Sequence, residues 1–284
     1  MDRLTFEIWD VFTDRPFSGN PLAIVRGADG LTTAQMQTLA RQFNLSETIF
    51  LMAPRDPVHT ARARIFFPTA EIPFAGHPTV GAALLLADRL GLSGVVLEEE
   101  AGVVPVEIAG GAATFDAPVL PERRGAAEAG AVADALSLTP GDLAGPCEAW
   151  AGGPCFLYVP VASRAALRRA AAREAALTPI LRDLGATGAY LHDPEGHARM
   201  FAPQDGIPED PATGSASAIL AGPLLAAGVL GEGTTRRALV QGEDMGRRSE
   251  IGMTVDVADG RVARVRITGR AVPVMAGTTR VPDA

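Results

Sequence analysis

Glu47, His77, Asp210 and Ser215 are the side chains of this sequence whose types and settings suit acid/base chemistry on carbon. Such chemistry needs a carboxylate or an imidazole within hydrogen-bond reach of a substrate, tuned by its surroundings. His77 and Ser215 each follow a glycine that leads into an apolar run, Gly76 before residues 80–87 and Gly214 before residues 218–230. Pro211 bars the residue before it from helical geometry, Gly214 permits close approach, and Thr213, Ser215 and Ser217 are good capping types, so 209–217 reads as a loop that opens a helix. The first amides of a helix lack intrahelical partners and carry the positive end of its dipole, so such a loop attracts an anion. Each acid and the imidazole also has a plainer role open to it: Glu47 as a solvated acid at a strand edge, His77 as a helix cap, Asp210 as an ordinary turn acid before Pro211.

The two loops are alike. Glu71-Ile72-Pro73-Phe74-Ala75-Gly76 and Glu209-Asp210-Pro211-Ala212-Thr213-Gly214 share the pattern Glu-x-Pro-x-x-Gly, and 214 − 76 = 138 is close to half of the 284 residues. The economical explanation is two related halves, each with one buried helix. If the halves face each other, both helix starts serve one ligand.

Composition narrows the chemistry further. All 25 basic residues are Arg, which excludes a pyridoxal-phosphate Schiff base, a lysine nucleophile and a Walker lysine. The net charge of −8, without long runs of either sign, argues against a nucleic-acid partner. The apolar stretch 216–230 is shorter than the roughly 20 residues that span a bilayer and is broken by Gly222, Pro223 and Gly228, so no membrane span is expected. The start of the chain lacks the apolar core of a signal peptide, and the expected location is the cytoplasm. Cys147 and Cys155 have no zinc spacing around them and read as reduced structural thiols. His192 and His197 bracket Asp193-Pro194-Glu195-Gly196, which suits a type I turn better than a metal site, and His59 has no assigned role.

The elements that must position these groups follow from periodicity. Strands are expected at 6–12, 22–25, 45–51, 61–67, 95–99, 103–108 and 113–116, with helices from Thr32 or Thr33 to Gln42 and from Pro78 to Leu90. In the second half, strands are expected at 155–161, 189–192, 198–201, 237–241, 249–257 and 261–269. Ser163 is expected to cap a helix that residues 178–184 extend past Pro179, and the second buried helix should bend at Gly222-Pro223. A strand at 272–277 is expected to return to the first half.

Five segments then converge on a known family. Residues 10–21, Leu45-Ser46-Glu47-Thr48, Phe74-Ala75-Gly76-His77-Pro78-Thr79, Asp210-Pro211-Ala212-Thr213-Gly214-Ser215-Ala216, and Gln241-Gly242 with Gly246-Arg247 resemble the PhzF-like phenazine-biosynthesis isomerases. The resemblance implies an α+β fold of the diaminopimelate epimerase-like type: two pseudo-symmetric domains, each a curved, mostly antiparallel sheet wrapped around a central helix, with the active site between them. It implies domains at 1–118, completed by a strand in 270–284, and at 119–269. It further implies that Glu47, Asp210 and His77 carry the catalysis and that Asn20, Gly76, His77, Gly214 and Ser215 bind substrate. No cofactor or metal is implied. The family's type reaction moves a proton from C3 to C1 of trans-2,3-dihydro-3-hydroxyanthranilate, and the assembly implied is a homodimer. The epimerase cousins place a cysteine just before each loop glycine; here those positions hold Ala75 and Thr213, so a two-thiol racemase is not supported.

The expected function is therefore a cofactor-independent isomerase of a small carboxylated substrate. Two other readings stay open at this level: a carboxylate-based epimerase using Glu47 and Asp210, and a non-catalytic small-anion-binding protein of the same fold.

Overall fold

A computed structural model of the chain describes residues 3–283; Met1, Asp2 and Ala284, at the ends of the expected first domain, lie outside the described residues. The chain forms two units, one built from the residues up to Asp116 with those from Thr268 onward, the other from Ala117–Ile267.

In the first unit β1 (Arg3–Val11) lies between β2 (Asn20–Arg26) and the returning β18 (Ala271–Arg280), antiparallel to both. β2 runs parallel to β3 (Glu47–Met52), which pairs antiparallel with β4 (Ala61–Phe66). β4 takes the short β5 (Glu71–Ile72) as an antiparallel partner and β6 (Gly94–Glu99) as a parallel one. β7 (Gly102–Ala109) and β8 (Ala112–Asp116) extend the sheet antiparallel. One face packs on α1 (Thr33–Phe43), whose Met36, Leu39 and Ala40 join Val25, Phe50 and Phe66 in a core cluster. Of the two expected caps it is Thr32 that serves, and with Gln35 it closes a capping box at the start of the helix. The other face wraps α2 (Gly76–Leu90), in which every residue from Gly76 to Leu85 is buried. An all-round apolar helix of this kind has no solvent face to offer, and each buried Leu contributes about 1.5–3 kcal/mol.

The second unit repeats the plan. β9 (Glu122–Ala127) and β10 (Cys147–Ala151) are antiparallel, as are β10 and β11 (Cys155–Pro160), and β11 runs parallel to β12 (Gly188–His192). β12 pairs antiparallel with β13 (His197–Ala202), which takes β14 (Ile207–Asp210) antiparallel and β15 (Gly233–Gln241) parallel. β15 pairs antiparallel with β16 (Ser249–Ala258), and the chain passes back toward the first unit along β17 (Arg261–Gly269). Strand for strand, the sequence of parallel and antiparallel pairings from β1 to β7 recurs from β10 to β16. The β12–β13 hairpin closes through the expected turn, with the Gly196 amide donating to Asp193 O at 3.3 Å.

Three features depart from the sequence reading. β9, β10 and α3 (Ala129–Ala135) are not expected, because their Arg- and Ala-rich segments carry little periodic signal, nor are the short β5 and β14, the second of which takes Glu209 and Asp210 out of the stretch read as a loop. Residues 178–184 do not extend the Ser163-capped α4 (Arg164–Arg169); they form the later part and C-cap of a separate α5 (Glu174–Asp183) that tolerates Pro179 inside it, with Leu177 and Leu181 anchored in the core of α3, α4 and the sheet. The second buried helix ends earlier than expected, as α6 (Gly214–Ile219) followed by α7 (Ala221–Ala226), with the break at Leu220. The cause is still Pro223: a proline ring clashes with the carbonyl four residues back and gives it no N–H, and that carbonyl belongs to Ile219.

Candidate active site

Glu47 opens β3, and His77 is the second residue of α2. The parallel register that sets Leu22 beside Glu47 places Asn20, fully buried at the start of β2, at the same end of the sheet. His77 Nδ1 lies 2.9 Å from Glu47 Oε2, with His77 2% and Glu47 9% exposed. The distance suits a hydrogen bond but the alignment does not, so Glu47 Oε2 has no hydrogen-bond partner, and His77 Nε2 is likewise buried without one. Catalytic contacts are often misaligned before substrate arrives. A buried carboxylate oxygen and a buried ring nitrogen left open side by side call for an explanation, and a substrate that supplies the missing partners is one. The plainer roles proposed for Glu47 and His77 do not fit: Glu47 is not solvated, and α2 has no side-chain cap at Ala75.

In the second unit Asp210 ends β14 and is 7% exposed. Its Oδ2 accepts the Thr213 hydroxyl at 2.5 Å. Gln241, fully buried at the end of β15, grips the same loop at three points. Its Nε2 donates to Asp210 O at 2.8 Å and to Thr213 Oγ1 at 3.0 Å, and its Oε1 accepts the Thr213 amide at 3.1 Å. Gly242 follows at φ +72°, where a Cβ would stand 2.6 Å from the carbonyls of both Pro211 and Arg247, so the close approach that seats Gln241 needs a glycine. Gly214 is buried and Ser215 half-buried at the start of α6.

Sequence reasoning missed what fixes the two loops. Arg64 Nε and Nη2 donate to the two carboxylate oxygens of Glu71 at 2.7 and 2.6 Å, and the guanidinium lies 5.3 Å from the centre of the Phe66 ring. Arg199 does the same to Glu209, at 2.8 Å for both bonds, and lies 4.7 Å from the Phe201 ring. Arg-x-Phe followed by Glu-x-Pro-x-x-Gly is thus the full repeat, and Arg64-Ile65-Phe66 against Arg199-Met200-Phe201 was the available signal. Past each glycine a hydroxyl donates back to the carbonyl four residues earlier, Thr79 Oγ1 to Ala75 O at 2.8 Å and Ser217 Oγ to Thr213 O at 3.0 Å.

The repeat also shows where the units differ. The register of β3 with β4 and of β12 with β13 makes Gly188 the counterpart of Glu47. A Cβ there would meet Met200 Cε at 2.5 Å and Phe201 O at 2.8 Å, so the second unit has no room for a second glutamate. Asp210 has Ile72 as its counterpart, and Ser215 has His77. Duplicated scaffolding thus carries different chemical groups in each half. Among the described residues no His, Cys, Asp and Glu cluster could hold a metal, and no helix is long and apolar enough to cross a membrane.

Residues 9–277 match the family described as phenazine biosynthesis-like protein, PhzC-PhzF. The chain belongs to this family. Among curated relatives, an uncharacterized isomerase of Mesorhizobium japonicum is 38% identical, with 98% of this chain and 99% of the relative covered. A trans-2,3-dihydro-3-hydroxyanthranilate isomerase of Pseudomonas chlororaphis is 32% identical, covering 96% of this chain and 98% of the relative. Among solved structures, a Bacillus anthracis phenazine biosynthesis protein of the PhzF family superposes with a TM-score of 0.88 at 25% identity, covering 99% and 100% of the two chains. This PhzF-family chain is an isomerase, with the mixed α/β fold of its relatives.

Proposed function

We propose that this isomerase moves a proton between carbons of a small carboxylated substrate without a cofactor, in the manner of the trans-2,3-dihydro-3-hydroxyanthranilate isomerases among its relatives. The observation that carries the reading is the Glu47–His77 pair, buried side by side with one oxygen and one ring nitrogen unpartnered. In this reading the carboxylate of Glu47 takes a proton from one carbon and returns it to another, while His77 orients that carboxylate and bonds the substrate. Asn20 and Gly76 complete the binding on this side. Asp210, Gly214 and Ser215 act on the same substrate, with Asp210 aimed by Thr213 and Gln241. The substitution of Ala75 and Thr213 for loop cysteines leaves a carboxylate, and not a thiol pair, as the base. A cytoplasmic homodimer completes the proposal; sedimentation of the purified protein at twice the 29.5 kDa chain mass would support the dimer.

The test is Glu47→Gln assayed in D₂O on trans-2,3-dihydro-3-hydroxyanthranilate. Wild type should convert it, and the deuterium found on the carbon that gains the proton measures how far the Glu47 proton exchanges with solvent before its return. The variant should fold and bind but lose turnover by about 10²- to 10⁴-fold, since glutamine can neither accept nor return a proton. Near-normal turnover in the variant would move the proton transfer to Asp210 or His77.

A further inference from the structure

We infer that Glu99 is a positioning residue for the His77 turn, holding it as a neutral carboxylic acid that donates its proton to Thr79. The inference rests on the reading of His77 as part of the reaction site, but its evidence is separate.

Thr79 Oγ1 lies 2.8 Å from Ala75 O and 2.7 Å from Glu99 Oε1, and the hydroxyl has a single proton. The Ala75 carbonyl can only accept, so the Thr79 proton belongs there, and the contact with Glu99 then requires a proton from the acid. An ionised Glu99 would compete with Ala75 for the one proton. Its Oε2, buried without a hydrogen-bond partner, would also carry charge in a place with nothing to balance it.

The internal repeat supports the same protonation. Since Arg64 corresponds to Arg199, Arg62 corresponds to His197; Arg62 pairs with Glu98 on β6, and His197 pairs with Val240 on β15. One residue further along, Glu99 is therefore the counterpart of Gln241. Both end their strands and both are buried, and each reaches the start of the adjacent buried helix, Glu99 at Thr79, the counterpart of Ser217, and Gln241 at Thr213, the counterpart of Ala75. At this equivalent strand position the second unit carries a side chain that is neutral at every pH.

Charged groups on the elements packed against β6 are engaged elsewhere or exposed. On β4, Arg62 binds Glu100 and Arg64 binds Glu71. On β6 itself Glu98 binds His59. On α2, His77 faces Glu47 and Arg89 binds Glu7, while Asp88 is exposed, as is Glu107 on β7. Burial accordingly pushes the Glu99 carboxyl up to about 8, against the opposing pull of the Thr79 hydrogen bond. Above that pH the carboxylate takes the Thr79 proton, and Ala75 O keeps only the longer bond from the Thr79 amide at 3.3 Å. The turn that carries Gly76 and His77 loosens.

The experiment follows the ¹⁵N-labelled imidazole of His77 by NMR from about pH 6 to 10 in wild type and Glu99→Gln, which installs the side chain found at the equivalent place in the second unit. Wild-type His77 signals should shift through a step near pH 8 that Glu99→Gln abolishes. Turnover on trans-2,3-dihydro-3-hydroxyanthranilate should fall about ten-fold in wild type at pH 9, where one-tenth of an acid of this pKa is still protonated, and less than about two-fold in the variant. A His77 step that persists in Glu99→Gln overturns the inference. So does a wild-type glutamate ¹³C-carboxyl spectrum in which nothing titrates near pH 8, a measurement that stands even if the variant fails to fold. Absence of turnover on this substrate with the His77 step intact in wild type and lost in the variant would refute the proposed reaction and leave the role of Glu99 standing.

Discussion

Glu47 and Gly188 occupy equivalent places in the two units, and the difference between them is the chemical asymmetry of the molecule in its smallest form. Gly188→Ala should therefore be disruptive despite adding one methyl: Met200 Cε, 2.5 Å from the new Cβ, is the end of a flexible side chain, but the backbone oxygen of Phe201 at 2.8 Å cannot rotate away. The expected loss is about 1–3 kcal/mol in denaturant unfolding, with kcat changed little in the fraction that folds. The thiols give the opposite expectation. Burial pushes Cys147 up to about 11 and raises Cys155, so both are poor nucleophiles at neutral pH. Alkylating agents at about pH 7 should leave turnover largely intact, and inactivation that a bound substrate protects against would indicate a cysteine mechanism instead.

At the scale of elements, the Arg–Glu forks decide where the loops stand. Arg199 is 9% exposed and spends its donors on Glu209 and on the carbonyls of Leu167 and Ala170, tying β13 and β14 to the end of α4. Arg199→Met leaves Glu209 without its partner and those carbonyls without donors, and should lower unfolding stability by about 3–5 kcal/mol. Arg199→Lys should recover part of that, since a single ammonium cannot reproduce the fork. Far from the site, Thr32→Ala removes the capping box of α1 and should cost about 1 kcal/mol in chemical unfolding without altering kcat.

At the scale of the whole molecule, stability should depend on pH through Glu99. Its carboxyl rises on folding from the ordinary 4.5 to about 8, so the folded chain binds more protons than the unfolded chain between those values. Stability contributed at this position is therefore intact below about 4.5, falls as pH rises toward 8, and levels off above. Glu99→Gln should match wild type in thermal unfolding near pH 4.5 and melt at a higher temperature than wild type near pH 8. Equal melting curves at the higher pH would mean that the acid is already ionised in the folded state.

The sequence by itself determined the repeat, the buried helices and the positions of Glu47, His77 and Asp210, because each rests on local signals: alternating strands, loop prolines and glycines, and apolar runs with no polar face. It also determined that lysine chemistry is absent, which needs only the alphabet of the chain. What it did not determine are relations between residues distant in sequence. Arg199 meets Glu209 across a β-hairpin, Gln241 reaches back 31 positions to Asp210, and Thr79 meets Glu99 20 positions on. Sheet register sets those distances, and one residue of slip would turn every one of these side chains to the opposite face. The weakly patterned β9, β10 and α3 took their structure from the partners they pack against, as did the exact end of α6, where a proline acted four residues upstream of itself. Burial decided the rest: an acid such as Glu99 is indistinguishable in sequence from its neighbours Glu98 and Glu100, and only the tertiary structure encloses it with a single hydroxyl for company.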